Sequence, residues 1–263
     1  MSKKILVAAV AALALGATAQ AQTNLQTFYD FGKNRNHFTT TLEGFYNDNW
    51  GNTFFFIDYD YNAKDTKGVN QAPSGSYMEI ARCINLWQNT PLSMLSLQVE
   101  YNGLVGVNQN FLFGTDIFLH SADFNNTFNF KVLYKWIDYA KVDDPNRTMQ
   151  TYINGDPYKS NVPLQFTFVW GMQDLFGVKG LRFSGFADFW WQDHDLFNDN
   201  KGEAMTPEVS HFVFLSEPQI WYNVGQHFGC DNLNIGGEVE LSYDFGTARG
   251  FWCRPCAGIK WVF

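Results

Sequence analysis

Two pairs of possible metal ligands lie near the end of the chain. His227 and Cys230 are three residues apart, as are Cys253 and Cys256, and zinc is commonly held by cysteine and histidine pairs. The pairs flank an extended segment, which at about 3.3 Å per residue separates them by roughly 25 Å. Because zinc ligands must converge on one ion, we expect no metal site and no other cofactor.

The triplet Asp193-His194-Asp195 could act in hydrolysis, because an aspartate beside a histidine can activate water. An Asp-rich loop also contains such a triplet by chance, and the sequence offers no partner nucleophile. We therefore expect a protein that is not an enzyme, and an outer-membrane hydrolase is the alternative. The substitution His194→Ala would stop a hydrolase and leave a non-catalytic function intact.

The direction in which the remaining acidic and aromatic side chains point depends on the secondary-structure elements that contain them. Four segments alternate clearly between apolar and polar residues, and this period of two predicts β-strands rather than helices. They are residues 95–101, 128–136, 233–245 and 251–263. Weaker alternation predicts strands near residues 24–31, 37–47, 52–62, 76–87, 109–120, 163–171, 180–192 and 210–224. The chain is therefore predicted to be all-β, with about twelve antiparallel strands.

Short and long connections alternate along this order of strands. The short links are residues 48–51, 88–91 and 122–126, and the long polar links are residues 62–75, 138–161 and 193–208. This alternation is typical of a transmembrane up-and-down β-barrel, which has short turns on one side and long loops on the other. A soluble secreted sandwich would show strand alternation too.

The first 21 residues have the features of a signal peptide. Lys3 and Lys4 precede an apolar stretch over residues 5–15, and Ala19-Gln20-Ala21 is a small-residue cleavage site. The apolar stretch is too short to span a bilayer. We expect residues 22–263 to form one barrel domain in the outer membrane of a Gram-negative cell, with both termini in the periplasm.

The composition agrees with a membrane barrel. The chain is 18% aromatic and 17% charged, and after residue 22 it has no apolar run of about eighteen residues, so every second strand residue would supply the lipid face. The net charge of −8 argues against nucleic acid as a partner. The ending Trp261-Val262-Phe263 resembles the assembly signal of such barrels. The expected partners are the lipid bilayer, the barrel-assembly machinery and a small solute.

Several segments are similar to the nucleoside-specific channel-forming (Tsx-like) family. The longest is residues 174–189 (DLFGVKGLRFSGFADF), and the others are residues 41–45 (TLEGF) with Asn49-Trp50, residues 77–80 (YMEI), residues 91–94 (PLSM) and Ser210-His211. They occur in the family's order across most of the mature chain. The resemblance implies a twelve-stranded barrel with a narrow lumen that conducts nucleosides.

Arg82 departs from the pattern of that family, where the arginine stands one position later. Strict alternation places Arg82 with Met78 and Ile80 on the lipid face, at a cost of roughly 2 to 4 kcal/mol near the membrane midplane. A bulge at Ala81 or a position near the headgroups would remove this conflict.

The polar faces of the strands define the predicted lumen. Acidic residues there outnumber basic ones, and aromatic rings lie among them. Rings can stack on a base while carboxylates accept from ribose hydroxyls. The candidate solute-binding residues are Phe28, Glu43, Phe54, Phe56, Asp58, Glu79, Arg82, Arg182, Phe186, Asp188, Trp190 and Glu238.

A structural role is the alternative for each of these side chains. Polar residues inside a narrow barrel pair with one another, and aromatic residues fill the lumen or mark its rims. Three functions therefore remain possible from the residues alone: a channel for small solutes, an outer-membrane hydrolase, and a structural or surface-binding barrel without transport.

Overall fold

The computed structural model describes residues 21–33, 35–61, 63–64, 70–71, 75–103, 108–138, 152–153 and 156–263. The predicted signal peptide, residues 1–21, lies outside the described residues except for Ala21, which begins the first strand. None of the described residues belongs to a helix that is long and apolar enough to cross a membrane.

Twelve antiparallel strands form a closed barrel, which confirms the predicted fold. The strands are β1 (Ala21–Asp30), β2 (His37–Asp48), β3 (Gly51–Asp60), β4 (Gly75–Ile84), β5 (Leu95–Gly103), β6 (Gln109–His120), β7 (Asn126–Asp138), β8 (Leu164–Met172), β9 (Leu181–Trp190), β10 (Val213–Ser216 and Gln219–Tyr222), β11 (Leu233–Tyr243) and β12 (Phe251–Val262). Each strand pairs with its neighbours in the chain, and β1 pairs with β12 from Asn24↔Val262 to Asp30↔Cys256.

Strand β10 is interrupted at Glu217 and Pro218. Proline has no backbone N–H to donate to a neighbouring strand. Its carbonyl still accepts from the Val239 backbone N–H at 3.0 Å, and the Glu217 N–H donates to the Phe186 carbonyl at 3.1 Å. The two halves of β10 therefore keep one register against β9 and β11.

The two ends of the barrel differ, and we call the end that carries both described chain termini the terminal end. It has the turns around residues 49–50, 85–94, 121–125, 173–180 and 223–232. The opposite end, the loop end, has the predicted long links. One of these contains a hairpin of His194–Asn198 and Ala204–Ser210.

The outer wall of the barrel is apolar, because successive residues of a strand point to opposite faces. Cross-strand aromatic pairs cover it, with ring centroids 4.9 Å apart for Phe113 and Tyr134 and 5.4 Å apart for Phe111 and Trp136. Other exposed apolar residues on this wall are Leu25, Phe38, Leu97, Val99, Phe128, Phe168, Ile220, Ile235, Phe251, Ile259 and Trp261. Such a surface suits hydrocarbon rather than water.

Candidate functional site in the barrel lumen

The strand register places the predicted polar faces on the inside of the barrel. The inward acidic residues are Asp30, Glu43, Asp58, Asp60, Glu79, Glu100, Asp116, Asp188, Glu217, Glu238 and Glu240, and the inward basic residues of the strands are Lys131, Lys135, Arg182, Arg254 and Lys260. Asp244 follows β11 and instead accepts from Ser210 Oγ and the Gly250 backbone N–H at the loop end. The lumen is therefore acidic, and it divides into parts with different contacts.

At the loop end, inward charges form salt bridges. Arg35, from the β1–β2 connection, donates through Nη1 to Asp30 Oδ2 at 2.8 Å and through Nη2 to Glu240. Arg254 Nη1 donates to Glu240 Oε1 at 2.6 Å. We call these four residues the loop-end ion network. Arg35 was not predicted from the sequence, because alternation places strand residues but not a side chain that reaches in from a loop.

A cavity of about 320 Å³ lies beside this network at the loop end. Arg35, Trp252 and Arg254 line it on the barrel side, and Asn198 and residues 245–248 line it on the loop side. The Arg254 guanidinium carbon is 4.7 Å from the centre of the Trp252 ring. The two arginines and the loop residues therefore enclose this cavity together.

Two inward tryptophans are covered by lysines. Lys135 Nζ lies 4.1 Å from the ring centre of Trp190, and Lys260 Nζ lies 4.2 Å from that of Trp221. A cation over an aromatic face is attracted by the ring's quadrupole. Trp190 faces the lumen as predicted, but it is only 7% exposed. It therefore presents no free face on which a base could stack.

Phe28 also contributes to packing rather than to the accessible lumen. It is buried, and its ring centroid is 5.6 Å from that of Trp221. A Cβ at Gly258 would lie 2.9 Å from the Phe28 ring, and one at Gly236 would lie 2.8 Å from the Trp221 ring. Two inward glycines therefore make room for this aromatic pair.

The middle of the lumen is lined by half-buried side chains. The predicted residues found there are Glu43, Phe54, Phe56, Asp58, Glu79, Phe186 and Glu238. Arg182 is also half-buried, but as the second residue of β9 it lies near the terminal end. The mid-lumen carboxylates accept hydrogen bonds from neutral donors: Asp58 from Thr41 at 2.5 Å, Glu79 from Tyr77 at 3.1 Å, and Glu238 from Gln219 at 2.9 Å. Within the described residues, none of these three carboxylates has a lysine or arginine nitrogen within 4.0 Å.

Asp188 and Glu100 extend this acidic lining. Asp188 faces the lumen as predicted, but it is buried and accepts from Thr167 Oγ1 at 2.5 Å. Glu100 accepts from Gln98 Nε2 at 2.6 Å. Glu79 interacts electrostatically with both of these carboxylates. Because Glu79 and Asp188 belong to strands on opposite sides of the barrel, acidic groups on the two walls influence each other across the lumen.

Arg82 lies on the outer face, which corrects its predicted place in the lumen. The register of β3 and β4 is continuous, with Thr53 opposite Arg82, so no bulge turns the side chain inward. Arg82 donates to Thr53 Oγ1 at 3.2 Å and to Asp48 Oδ1 at 2.8 Å, near the turn at residues 49–50. A position at the terminal end, with a carboxylate partner, removes the conflict with a lipid-facing charge.

The Asp193-His194-Asp195 triplet is buried in the loop end and makes structural contacts. His194 Nδ1 lies 3.1 Å from the Gln192 carbonyl oxygen, and Nε2 lies 2.5 Å from the Asp244 carbonyl oxygen. Asp193 pairs with His211 Nδ1 at 2.5 Å. Tyr158 donates to Asp195, and burial together with this hydrogen bond raises the pKa of the Tyr158 phenol. Both ring nitrogens of His194 are engaged, so this histidine cannot take a proton from a nucleophile as placed.

The cysteine and histidine pairs are not gathered into a metal site. Among the residues that the structure describes, no three His, Cys, Asp or Glu side chains are grouped to hold a metal ion. Cys253 is exposed on the outer wall, while Cys256 is half-buried on the inner one. Cys83, which is buried, contacts Gln98 and Asp116 through Sγ at 3.3 and 3.4 Å.

Solved structures with a similar fold include outer-membrane proteins. The NanC porin is 10% identical over 91% of this chain and 98% of that chain, with a TM-score of 0.52. OpdK from Pseudomonas aeruginosa is 7% identical over 93% and 98%, with a TM-score of 0.40. An active-site variant of outer membrane phospholipase A from Escherichia coli is 11% identical over 91% and 89%, with a TM-score of 0.48. At these identities the likeness concerns the fold alone.

A family model identifies the chain more directly. None of the curated proteins matches its sequence. The model described as Domain of unknown function (DUF5020) matches residues 21–263. The chain, with its closed barrel and acidic lumen, therefore belongs to the DUF5020 family.

Proposed function

We propose that the protein is an outer-membrane channel for the passive uptake of small solutes. The observation that carries this proposal is the pairing of an apolar outer wall with an inner wall whose mid-lumen side chains keep accessible surface. A hydrocarbon-facing exterior and a polar interior are the features of transmembrane barrels. Export by the signal peptide at residues 1–21 and periplasmic termini belong to the same proposal.

The solute class that we propose is nucleosides. The resemblance to the Tsx-like family motivates it, and the half-buried rings of Phe54, Phe56 and Phe186 offer aromatic surface beside Asp58 and Glu79. Stacking of a base on such a ring contributes about 1 to 3 kcal/mol. Carboxylates accept from ribose hydroxyls and repel the phosphate of a nucleotide.

Single-channel conductance of the refolded protein, with and without adenosine, tests both parts of the proposal. We expect an ion-conducting channel whose current adenosine reduces and adenosine monophosphate does not. The variant Phe56→Leu should weaken the adenosine effect about ten-fold, and Phe111→Leu, on the outer wall, is its control. Equal liposome swelling rates for adenosine and its monophosphate would leave a general pore, and absent conductance would leave a structural barrel.

The barrel-assembly machinery is proposed as a partner through the C-terminal residue. Phe263 is 67% exposed, and its backbone N–H donates to the Thr23 carbonyl at 2.9 Å. One exposed aromatic side chain normally contributes little stability. Deletion of Phe263 should therefore lower outer-membrane levels much more than it lowers stability after refolding in detergent. Normal levels of the truncated chain would contradict an assembly role.

A further inference from the structure

We propose that Glu79, Glu100 and Asn102 form a binding site for an organic ammonium group inside the lumen. The inference rests on the channel part of the proposed function and is independent of the nucleoside part. The three side chains are inward residues of β4 and β5, which are neighbours in the barrel. Glu79 is directly opposite Asn102 in the register, and Glu100 is two residues from Asn102 on the same face.

Asn102 carries an oxygen that lacks a partner. The residue is 2% exposed, its Nδ2 donates to Glu100 Oε1 at 3.2 Å, and its buried Oδ1 accepts no hydrogen bond. Rotating the amide would turn Oδ1 toward the Glu100 carboxylate, where two acceptors would repel each other. The amide orientation is therefore fixed by Glu100, and the unpaired oxygen is left for a donor that the described chain does not provide.

The neighbouring strand repeats this feature. Asn110 on β6 is opposite Asn102, and its buried Oδ1 also accepts no hydrogen bond. Two carboxylates and two amide oxygens thus occupy adjacent inward positions on three strands. The two buried amide oxygens have no donor, which is unfavourable unless a donor enters.

The charges around Glu79 favour a cationic donor. Glu79 interacts with the carboxylates of Glu100 and Asp188, and its hydrogen-bond donor is the neutral hydroxyl of Tyr77 at 3.1 Å. The positive charges of Lys131 and Lys135 also interact with the carboxylates of Glu79 and Glu100. Lys135, however, donates to Gln165 Oε1 at 2.8 Å and lies against Trp190. Lys131 interacts with Asp116, Glu100 and Glu79 together, so the carboxylates around Glu79 outnumber the cations that compensate them.

Aromatic rings beside the carboxylates favour an ammonium group over a bare metal ion. Phe56 is opposite Glu79 in the register, and its ring centroid is 5.8 Å from that of Tyr77. Rings of this kind attract organic cations through their faces. An ammonium group offers several N–H donors to the carboxylate and amide oxygens. Calcium, by contrast, needs six or more oxygen ligands in its shell.

Block of potassium current through bilayer-inserted protein tests the site with two cations of equal charge. Propylammonium has N–H donors and tetramethylammonium has none, so we expect propylammonium to block at a concentration at least ten-fold lower. Glu79→Gln and Asn102→Leu should each weaken propylammonium block at least ten-fold, and Asn102→Asp should strengthen it. Glu208→Gln, which removes an exposed acid at the loop end, should change it less than two-fold.

The outcomes separate this site from the channel proposal. If both cations block equally and Glu79→Gln changes the block by neither of them, the lumen responds only to the total charge of the cation. That result would overturn the ammonium site but not the channel. If the wild-type protein does not conduct, the channel proposal fails. Calorimetric titration of the detergent-solubilised protein with propylammonium then tests whether the ammonium site exists. Absence of binding would overturn the proposed site. Heat-modifiable migration in gels shows that each variant is folded.

Discussion

Glu238 and Glu240 lie two residues apart on the same face of β11, yet their surroundings differ. Glu240 is buried and accepts from Arg35, Arg254 and Ser242. Glu238 is half-buried, and it accepts a hydrogen bond from the neutral amide of Gln219. The comparison shows that two acids on the same face of one strand can differ in whether a cation neutralises them.

The loop end and the mid-lumen follow the same division. At the loop end, arginines from a connection and a neighbouring strand neutralise Asp30 and Glu240. Lys135 and Lys260 lie over Trp190 and Trp221, whereas Asp58 and Glu79 in the mid-lumen accept hydrogen bonds from hydroxyl groups. Charges are therefore paired at the loop end, whereas the mid-lumen acids Asp58 and Glu79 have no lysine or arginine nitrogen within 4.0 Å among the described residues.

The largest effect is expected when the loop-end ion network is broken. Glu240→Ala leaves Arg254 without its carboxylate in a buried setting and should lower the free energy of unfolding by about 3 kcal/mol. Urea unfolding of the protein in lipid vesicles measures this change. Glu238→Ala is the matched control on the same strand and should cost less than about 1 kcal/mol. Equal losses for the two variants would remove the distinction between paired and unpaired acids.

A smaller effect is expected for the lysine that covers Trp190. In a double-mutant cycle of Lys135→Met and Trp190→Leu, the coupling free energy should be about 1 to 2 kcal/mol, because the ammonium group lies over a desolvated ring. Unfolding free energies of the four proteins give this coupling. A coupling near zero would mean that the contact between Lys135 and the Trp190 ring contributes no stability.

The smallest change in stability is expected at Glu79. Glu79→Gln removes a charge that lies near Glu100 and Asp188, and it keeps an acceptor for Tyr77. The free energy of unfolding of the variant should equal that of the parent protein or exceed it by up to about 1 kcal/mol, because the substitution removes repulsion between like charges. The same urea titration checks it. A loss above about 2 kcal/mol would show that Glu79 has a structural cation partner after all.

The sequence determined the barrel because a two-residue period is a local property. Alternation located the twelve strands of the barrel, including the strand near residues 210–224 that Pro218 interrupts, and it assigned acids such as Asp58 and Glu238 to the inner face. It did not find the hairpin of His194–Asn198 and Ala204–Ser210, which lies in a predicted loop. Applied without the family pattern, the same alternation also placed Arg82 on the outer face, where it lies. Facing direction follows from the geometry of an extended chain and needs no knowledge of distant partners.

Only the tertiary structure decided which inward side chains remain accessible. Arg35 reaches Asp30 and Glu240 from a connection, and Lys135 covers Trp190 from two strands away in the barrel. The Asp193-His194-Asp195 triplet likewise became part of the loop-end packing through Tyr158, His211 and Asp244. These contacts join residues far apart in the chain, and side chains meet across a lumen only after the sheet has closed.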